Sequence, residues 1–355
     1  MRDVIDPSLT AWRRELGVSH EAMELYVASD VIDLHIDSFI WSRLAGYDLT
    51  RRHSLGPLGG RFFRQVDFPR IREARVTGAT WVITTNIGRR SPWRARTFFR
   101  NLDALVGTFE RAQEDFAVVR TAAEYRAARA LGKHGAFIGV QGGNAFDENL
   151  AWVDAIPEGL VLRVTLVHLS TSSLGVTSSP LRLGSSAGLS AKGRELVERL
   201  NARKIFVDLA HVSREGFFDA LEVHDKTQPV LVTHTGVSGV HPHWRNLDDE
   251  QLRAVARTGG TVGIMYQAGF LGPSQFNGRA EAVVSHLEHI VNVVGDEHAS
   301  LGSDWDGMIV PPVDMPSCLE LPKLVQIMLD RGFTPERVQK ILGGNFLRVV
   351  AALRG

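Results

Sequence analysis

The sequence predicts an α/β chain wound into a (β/α)8 barrel, and two observations carry that expectation. About eight short runs rich in β-branched residues each end on polar residues, and longer stretches of helical period lie between them. Strands that are apolar along their whole length need cover on both faces, which a ring of helices around parallel strands supplies.

The candidate strands are residues 31–37, 80–86, 136–141, 161–168, 204–211, 229–234, 261–266 and 299–304, and the helical stretches 97–116, 191–201, 214–223, 248–257 and 281–294 fall between them. Ahead of the first strand, Met23, Leu25, Tyr26 and Val27 recur with helical spacing, so residues 1–30 are expected to form a helical extension packed on one TIM-barrel domain spanning 1–355. An open doubly wound sheet shows the same alternation. Its nucleotide-binding forms are disfavoured, because Gly142 and Gly143 follow a strand without a GxGxxG fingerprint and no GxxxxGK[ST] loop occurs. The Ser-, Gly- and Thr-rich stretch 170–190 follows the fourth strand and is expected to cover the barrel mouth, with 44–64 as a second rim segment.

Composition limits the function. Lys plus Arg and Asp plus Glu are 40 each, so no net field recommends nucleic acid or an anionic membrane, and a small neutral or zwitterionic substrate fits better. Cys318 is the only cysteine, which excludes an intrachain disulfide and leaves His, Asp, Glu or amide oxygens as the metal ligands available. The first thirty residues lack a secretory pattern and no stretch reaches membrane-spanning length, so the expected location is cytoplasmic.

The chemistry lies in how the strands end. Five runs finish on a potential ligand or proton-transfer group: His35 with Asp37, then His168, His211, His234 and Asp304. Parallel barrel strands bring their C-termini to one face, where residues remote in sequence meet. His35 and Asp37 are two apart on a strand and point to the same side. Polar groups are costly at the ends of apolar strands unless they are paired or bind metal. Imidazole and carboxylate without thiolate suit zinc, with manganese, cobalt or iron as alternatives. His224, His241, His243, His286, His289 and His298 fall in helices or loops and are expected at the surface or behind the site. The aromatic residues between Trp93 and Phe99, and the pair Phe217 and Phe218, are expected to pack helices.

The strings VIDLHIDS, VTLVHLS, FVDLAHVS, PVLVTHTG, HWRNLDDEQL, LGSDWDG and GGNFLRVV, in this order from residue 31 to about 350, resemble the successive signatures of the membrane (renal) dipeptidases, the M19 metallopeptidases. The resemblance implies a metal-dependent hydrolase barrel with two zinc ions. By position, His35 and Asp37 would hold the first and His211 and His234 the second. His168 would support the tetrahedral intermediate, Arg245 would receive the substrate's terminal carboxylate, and Asp304 would stand beside the activated water. The family's GxEGGH string carries a glutamate that bridges both ions. Here it reads Gly139, Val140, Gln141, Gly142, Gly143, Asn144, so a neutral amide takes that ligand position and one or partial occupancy is a further expectation. Asp147 and Glu148 are candidate replacements for the missing charge.

The implied activity is hydrolysis of short peptides with a free C-terminus, by a protein that is a homodimer on the family's pattern. Two alternatives stand beside it. One is a different amide or ester hydrolase on the same scaffold. The other is a metal-poor, peptide-binding pseudoenzyme, favoured by Gln141 and opposed by the retention of Asp304, His168 and Arg245.

Overall fold

The computed structural model describes residues 7–85, 91–180 and 188–355. Among the described residues nine parallel strands form the sheet: β1 Ile32–Ile36, β2 Gly78–Thr84, β3 Phe116–Val118, β4 His134–Gln141, β5 Val161–Thr165, β6 Phe206–Asp208, β7 Leu231–Thr235, β8 Thr261–Ile264 and β9 Ala299–Leu301. Neighbours run β2-β1-β9-β8-β7-β6-β5-β4, and β2 pairs with β4 along its whole length, from Gly78 opposite Gly135 to Thr84 opposite Gln141. That pairing closes an eight-stranded (β/α)8 barrel. The ninth strand, β3, only extends the lower half of β4, with Phe116 opposite His134.

Every residue of β1, β2, β4, β5 and β7 is buried, which is why these segments read as mainly apolar runs in the sequence, broken by Asp33, His35, Arg163 and His234. Three expected strands run three residues too far at their C-terminal ends. Residues 166–168, 209–211 and 302–304 have already left the ladder, and His211 and Asp304 take the left-handed backbone conformation at φ 65° and 64°. A non-glycine residue pays on the order of 1 kcal/mol or more there and tends to mark a functional site. The expected end of the second strand at Asn86, residues 181–187 of the rim loop and residues 1–6 of the extension lie outside the described residues.

The helix expected at 97–116 is Ser91–Arg111. Its predicted last residues instead turn and deliver Phe116 to β3, where the ring stacks on Phe68 at 4.1 Å and meets His134 at 5.0 Å. The helices Ala122–Ala130, Pro322–Asp330 and Asn345–Arg354 were not expected. Ahead of β1, helices Pro7–Leu16 and His20–Ala28 pack on the barrel: Trp12 Nε1 donates to Leu319 O, and Tyr26 OH to Ala74 O. At the strand N-termini, Arg354 donates to the carbonyls of Gly159, Val161 and Lys204, tying the last helix to the bottom of the barrel. Cys318 is a free, buried thiol. No helix among the described residues is long and apolar enough to cross a membrane.

Candidate active site

The polar strand ends meet at the C-terminal face. His35 lies on β1 and Asp37 just past it, Gln141 ends β4, His234 lies on β7, and His168, His211 and Asp304 each sit three residues beyond β5, β6 and β9. Backbone hydrogen bonds between the end of β1 and the loop after β9 fix this register, from Asp304 N to His35 O at 3.1 Å and from Asp37 N to Trp305 O at 2.9 Å. Close backbone approach is required too: a Cβ at Gly302 would stand 1.7 Å from Thr233 O, next to His234.

His211 Nε2 and His234 Nε2 face each other at 2.7 Å. The second ring nitrogens differ. Thr233 Oγ1 gives its hydrogen to Asp208, so it accepts from Nδ1–H of His234 at 3.0 Å, which leaves a lone pair on Nε2 of His234. Nδ1 of His211 is buried with no hydrogen-bond partner among the described residues. Burial, with neighbouring Arg245 and His35, holds both imidazoles well below the usual histidine range, so they meet as neutral rings. A neutral pair in this arrangement shares a single position between its nitrogens, suited to one proton or one metal ion.

His35, His234 and Asp304 each bring a donor atom within 4.8 Å of the others. Nε2 of His35 lies 3.5 Å from Asp37 Oδ2 and 3.7 Å from Asp304 Oδ1. Burial pushes the Asp304 carboxyl well above its ordinary range, and the charge of Asp37 adds to this. Burial also acts on Asp37, but the nearby His35 and the hydrogen bond from Thr84 Oγ1 at 2.6 Å outweigh it and hold that carboxyl low. The two carboxylates are thus driven apart, one toward proton acceptance and one toward permanent charge.

Gln141 points its amide nitrogen between Asp37 Oδ2 at 3.2 Å and His168 Nε2 at 2.9 Å, and its Oε1 is buried without a partner among the described residues. An amide nitrogen only donates, so Nε2 of His168 accepts here and that ring carries its hydrogen on Nδ1. Burial lowers the pKa of His168 to about 4. Neither acid near Gln141 in sequence replaces the missing charge: Asp147 is paired with Arg94 at 2.7 Å, and Glu148 is exposed.

Arg245 is buried, donates through Nη2 to His234 O at 2.5 Å and, among the described residues, has no partner for Nε. With His211, Ser178 and Trp244 it lines a recess of about 130 Å³. A larger cleft of about 610 Å³ opens beside His168, walled by Thr84, Phe98, Met308 and the arginines Arg43, Arg94 and Arg100. Among the described residues its wall holds no acidic side chain.

Reading the sequence missed Arg163 and Asp208. Both are fully buried inside the barrel, 3.0 Å apart, and Arg163 Nη2 reaches Nδ1 of His35 at 2.7 Å. Their signal was available, since each is a charged residue inside an otherwise apolar run. Two histidines expected at the surface or behind the site are buried framework residues. His286 receives Val237 N–H on Nδ1 and bonds Leu271 O through Nε2, and His224 bonds Gln228 O. Trp93, expected to pack a helix, is exposed.

Residues 19–354 match the sequence profile of the membrane dipeptidase family, peptidase family M19. A curated Klebsiella pneumoniae protein, described as an uncharacterized protein in the pqqA 5' region, is 33% identical over 169 residues, which cover 46% of this chain and 60% of that protein. Among solved structures, a dipeptidase described as a metallopeptidase of family M19 is 25% identical with a TM-score of 0.82, over 92% of this chain and 98% of its own. A Rhodobacter sphaeroides metallopeptidase, liganded with a phosphinate mimic of the dipeptide L-Ala-D-Ala, has the same TM-score at 24% identity, over 92% and 99%.

Proposed function

This chain belongs to the membrane dipeptidase family, peptidase family M19, and from that premise we propose that it is a zinc-dependent dipeptidase cleaving short peptides with a free C-terminal carboxylate. The observation that carries the reading is the facing Nε2 pair of His211 and His234 beside Asp304 at the barrel mouth. Imidazole nitrogens with nearby carboxylates and no thiolate are a donor set that fits zinc, and the unpartnered Nδ1 of His211 leaves that ring able to place its lone pair on Nε2. When bound there, a zinc ion supplies Lewis-acid activation of water and of a carbonyl at neutral pH.

The chain's own residues then divide the work. Asp304, beside His234 at the mouth, takes the proton of the attacking water and returns it to the leaving amine. Asp37 stays charged and orients Gln141 and His35. His168 stands at the edge of the large cleft; to donate to a developing oxyanion through Nε2, it must release its contact with Gln141 and move its hydrogen. The recess at Arg245 is the proposed carboxylate seat, since a guanidinium holds a carboxylate through two parallel hydrogen bonds. The dipeptide mimic in the Rhodobacter sphaeroides neighbour supports a substrate of this size.

The test is a panel of free dipeptides, the same dipeptides amidated at the C-terminus, N-acyl amino acids and lactones, assayed on the zinc-loaded chain. Free dipeptides are expected to turn over at least about ten-fold faster than their amides, the loss of one charge-assisted hydrogen bond. Preference for N-acyl amino acids or lactones would move the activity to another hydrolase class. The amide nitrogen of Gln141 against His168 favours a second reading, a peptide-binding chain without turnover. Zinc bound with no substrate cleaved would select it.

A further inference from the structure

Three histidines at the mouth have different capacities to hold an ion, and the difference traces to one buried arginine. Arg163 lies in the middle of β5 with its guanidinium inside the barrel. Nη1 donates to Asp208 Oδ2 at 3.0 Å, Thr165 Oγ1 at 2.6 Å and Val140 O at 3.3 Å, and Nη2 donates to Nδ1 of His35 at 2.7 Å. Space for this side chain is built into the neighbouring strand: a Cβ at Gly139 would stand 2.7 Å from Arg163 Nε and 3.0 Å from Cζ. Asp208 is fixed in turn by Thr165 Oγ1 at 2.6 Å, Thr233 Oγ1 at 2.8 Å and the amides of Ala210 and Thr233 at 3.1 Å.

A guanidinium has five donors and no acceptor. Nδ1 of His35 must therefore present its lone pair to Arg163, and the hydrogen of the neutral ring sits on Nε2. That hydrogen faces Asp37 Oδ2 and Asp304 Oδ1. For Nε2 to hold a metal ion, Nδ1 would have to be protonated, and two N–H groups would then meet at 2.7 Å. His234 has the opposite arrangement, with its Nδ1–H given to Thr233 and a lone pair on Nε2, and His211 is free to adopt it.

We propose that Arg163 acts as a positioning residue that locks the hydrogen of His35 onto Nε2, on the side of Asp37 and Asp304, so that the chain carries one metal ion, on His211 and His234, in place of the two its family implies. The second departure, at Gln141, agrees with this: its amide nitrogen supplies Asp37 with a hydrogen where a cation would otherwise neutralise it. The proposal rests on the metal-dependent reading above, and ion counting separates the two.

The experiment strips the full chain with chelator, dialyses it against excess Zn2+ or Co2+ and measures bound ions per chain by elemental analysis. One ion is expected in the natural protein. It should remain one in His35→Asn, whose side-chain oxygen can still accept from Arg163, and fall to none in His211→Ala. Two ions in the natural protein, or loss of the ion in a folded His35→Asn, overturn the proposal and leave the metal reading standing. No ion in the natural protein removes both. A measurement without any variant's folding at stake is nitrogen NMR of the zinc-loaded chain. A ring-nitrogen pattern for His35 with Nε2 protonated and Nδ1 bare supports the lock, and Nδ1 protonated with Nε2 on the ion overturns it.

Discussion

The two ends of β4 hold buried polar side chains in opposite states. At the start of the strand, His134 has both ring nitrogens used, since Nδ1–H donates to Val76 O at 2.8 Å and Nε2 accepts from Trp81 Nε1 at 3.1 Å. At its end, Gln141 has two partners on one atom and none on the other. The same contrast sets His286 apart from the histidines at the mouth. His286 is saturated, while His35 Nε2 and His211 Nδ1 lack a partner and two imidazoles share one position. Buried polar groups cost free energy unless they are satisfied, so a saturated histidine is framework, and several unsatisfied ones gathered at one point mark a candidate site.

The largest effect should come from the mouth histidines. His234→Ala is expected to weaken zinc binding by well over 100-fold, since even the loss of a group that only orients a ligand costs 10- to 100-fold, and to abolish turnover with the fold intact. His134→Gln at the other end should leave the zinc affinity unchanged. Calorimetric titration of both variants makes the comparison, and equal losses in the two would erase the distinction drawn between the ends of the strand.

A smaller effect belongs to the framework. Burial lowers the pKa of His134 to about 4, against about 6.5 in an unfolded chain. Between those values the unfolded state binds more protons, so stability rises with pH. It is fully present above about pH 6.5 and falls as the pH drops through 4, by roughly 3 kcal/mol for a shift of this size. His286, also lowered to about 4, adds in the same direction. Denaturant unfolding of the natural chain from pH 7 to 4 should show the decline, and His134→Gln should show a shallower one. An unchanged slope would mean that this ring does not report its burial.

The smallest effect sharpens the contrast at Gln141 itself. Gln141→Glu puts a carboxylate where an amide hydrogen now meets Asp37 at 3.2 Å. Like charges so close should cost about 1–2 kcal/mol in the metal-free chain, a melting temperature lower by a few degrees, and zinc should restore part of it. A metal-free Glu variant as stable as the natural chain would show that Gln141 contributes nothing to holding Asp37.

The sequence by itself determined the barrel and the list of residues brought to its mouth. Buried parallel strands cannot avoid long β-branched runs, and His or Asp at the end of such a run needs a reason that packing does not supply. The positions of His35, Asp37, His168, His211, His234 and Asp304 were therefore legible before any coordinates. So was the change at Gln141, which is a difference of residue type. Where strands stop was not legible, because His211 and Asp304 leave the ladder through backbone conformations that their residue types do not announce. Helices such as Asn345–Arg354 depend on docking against the strand starts, which local pattern does not record. Above all, the sequence could not say which nitrogen of each histidine is free. A tautomer is set by the partner on the far side of the ring, and Arg163 for His35, Thr233 for His234 and no partner for His211 are arrangements that only the closed barrel brings about.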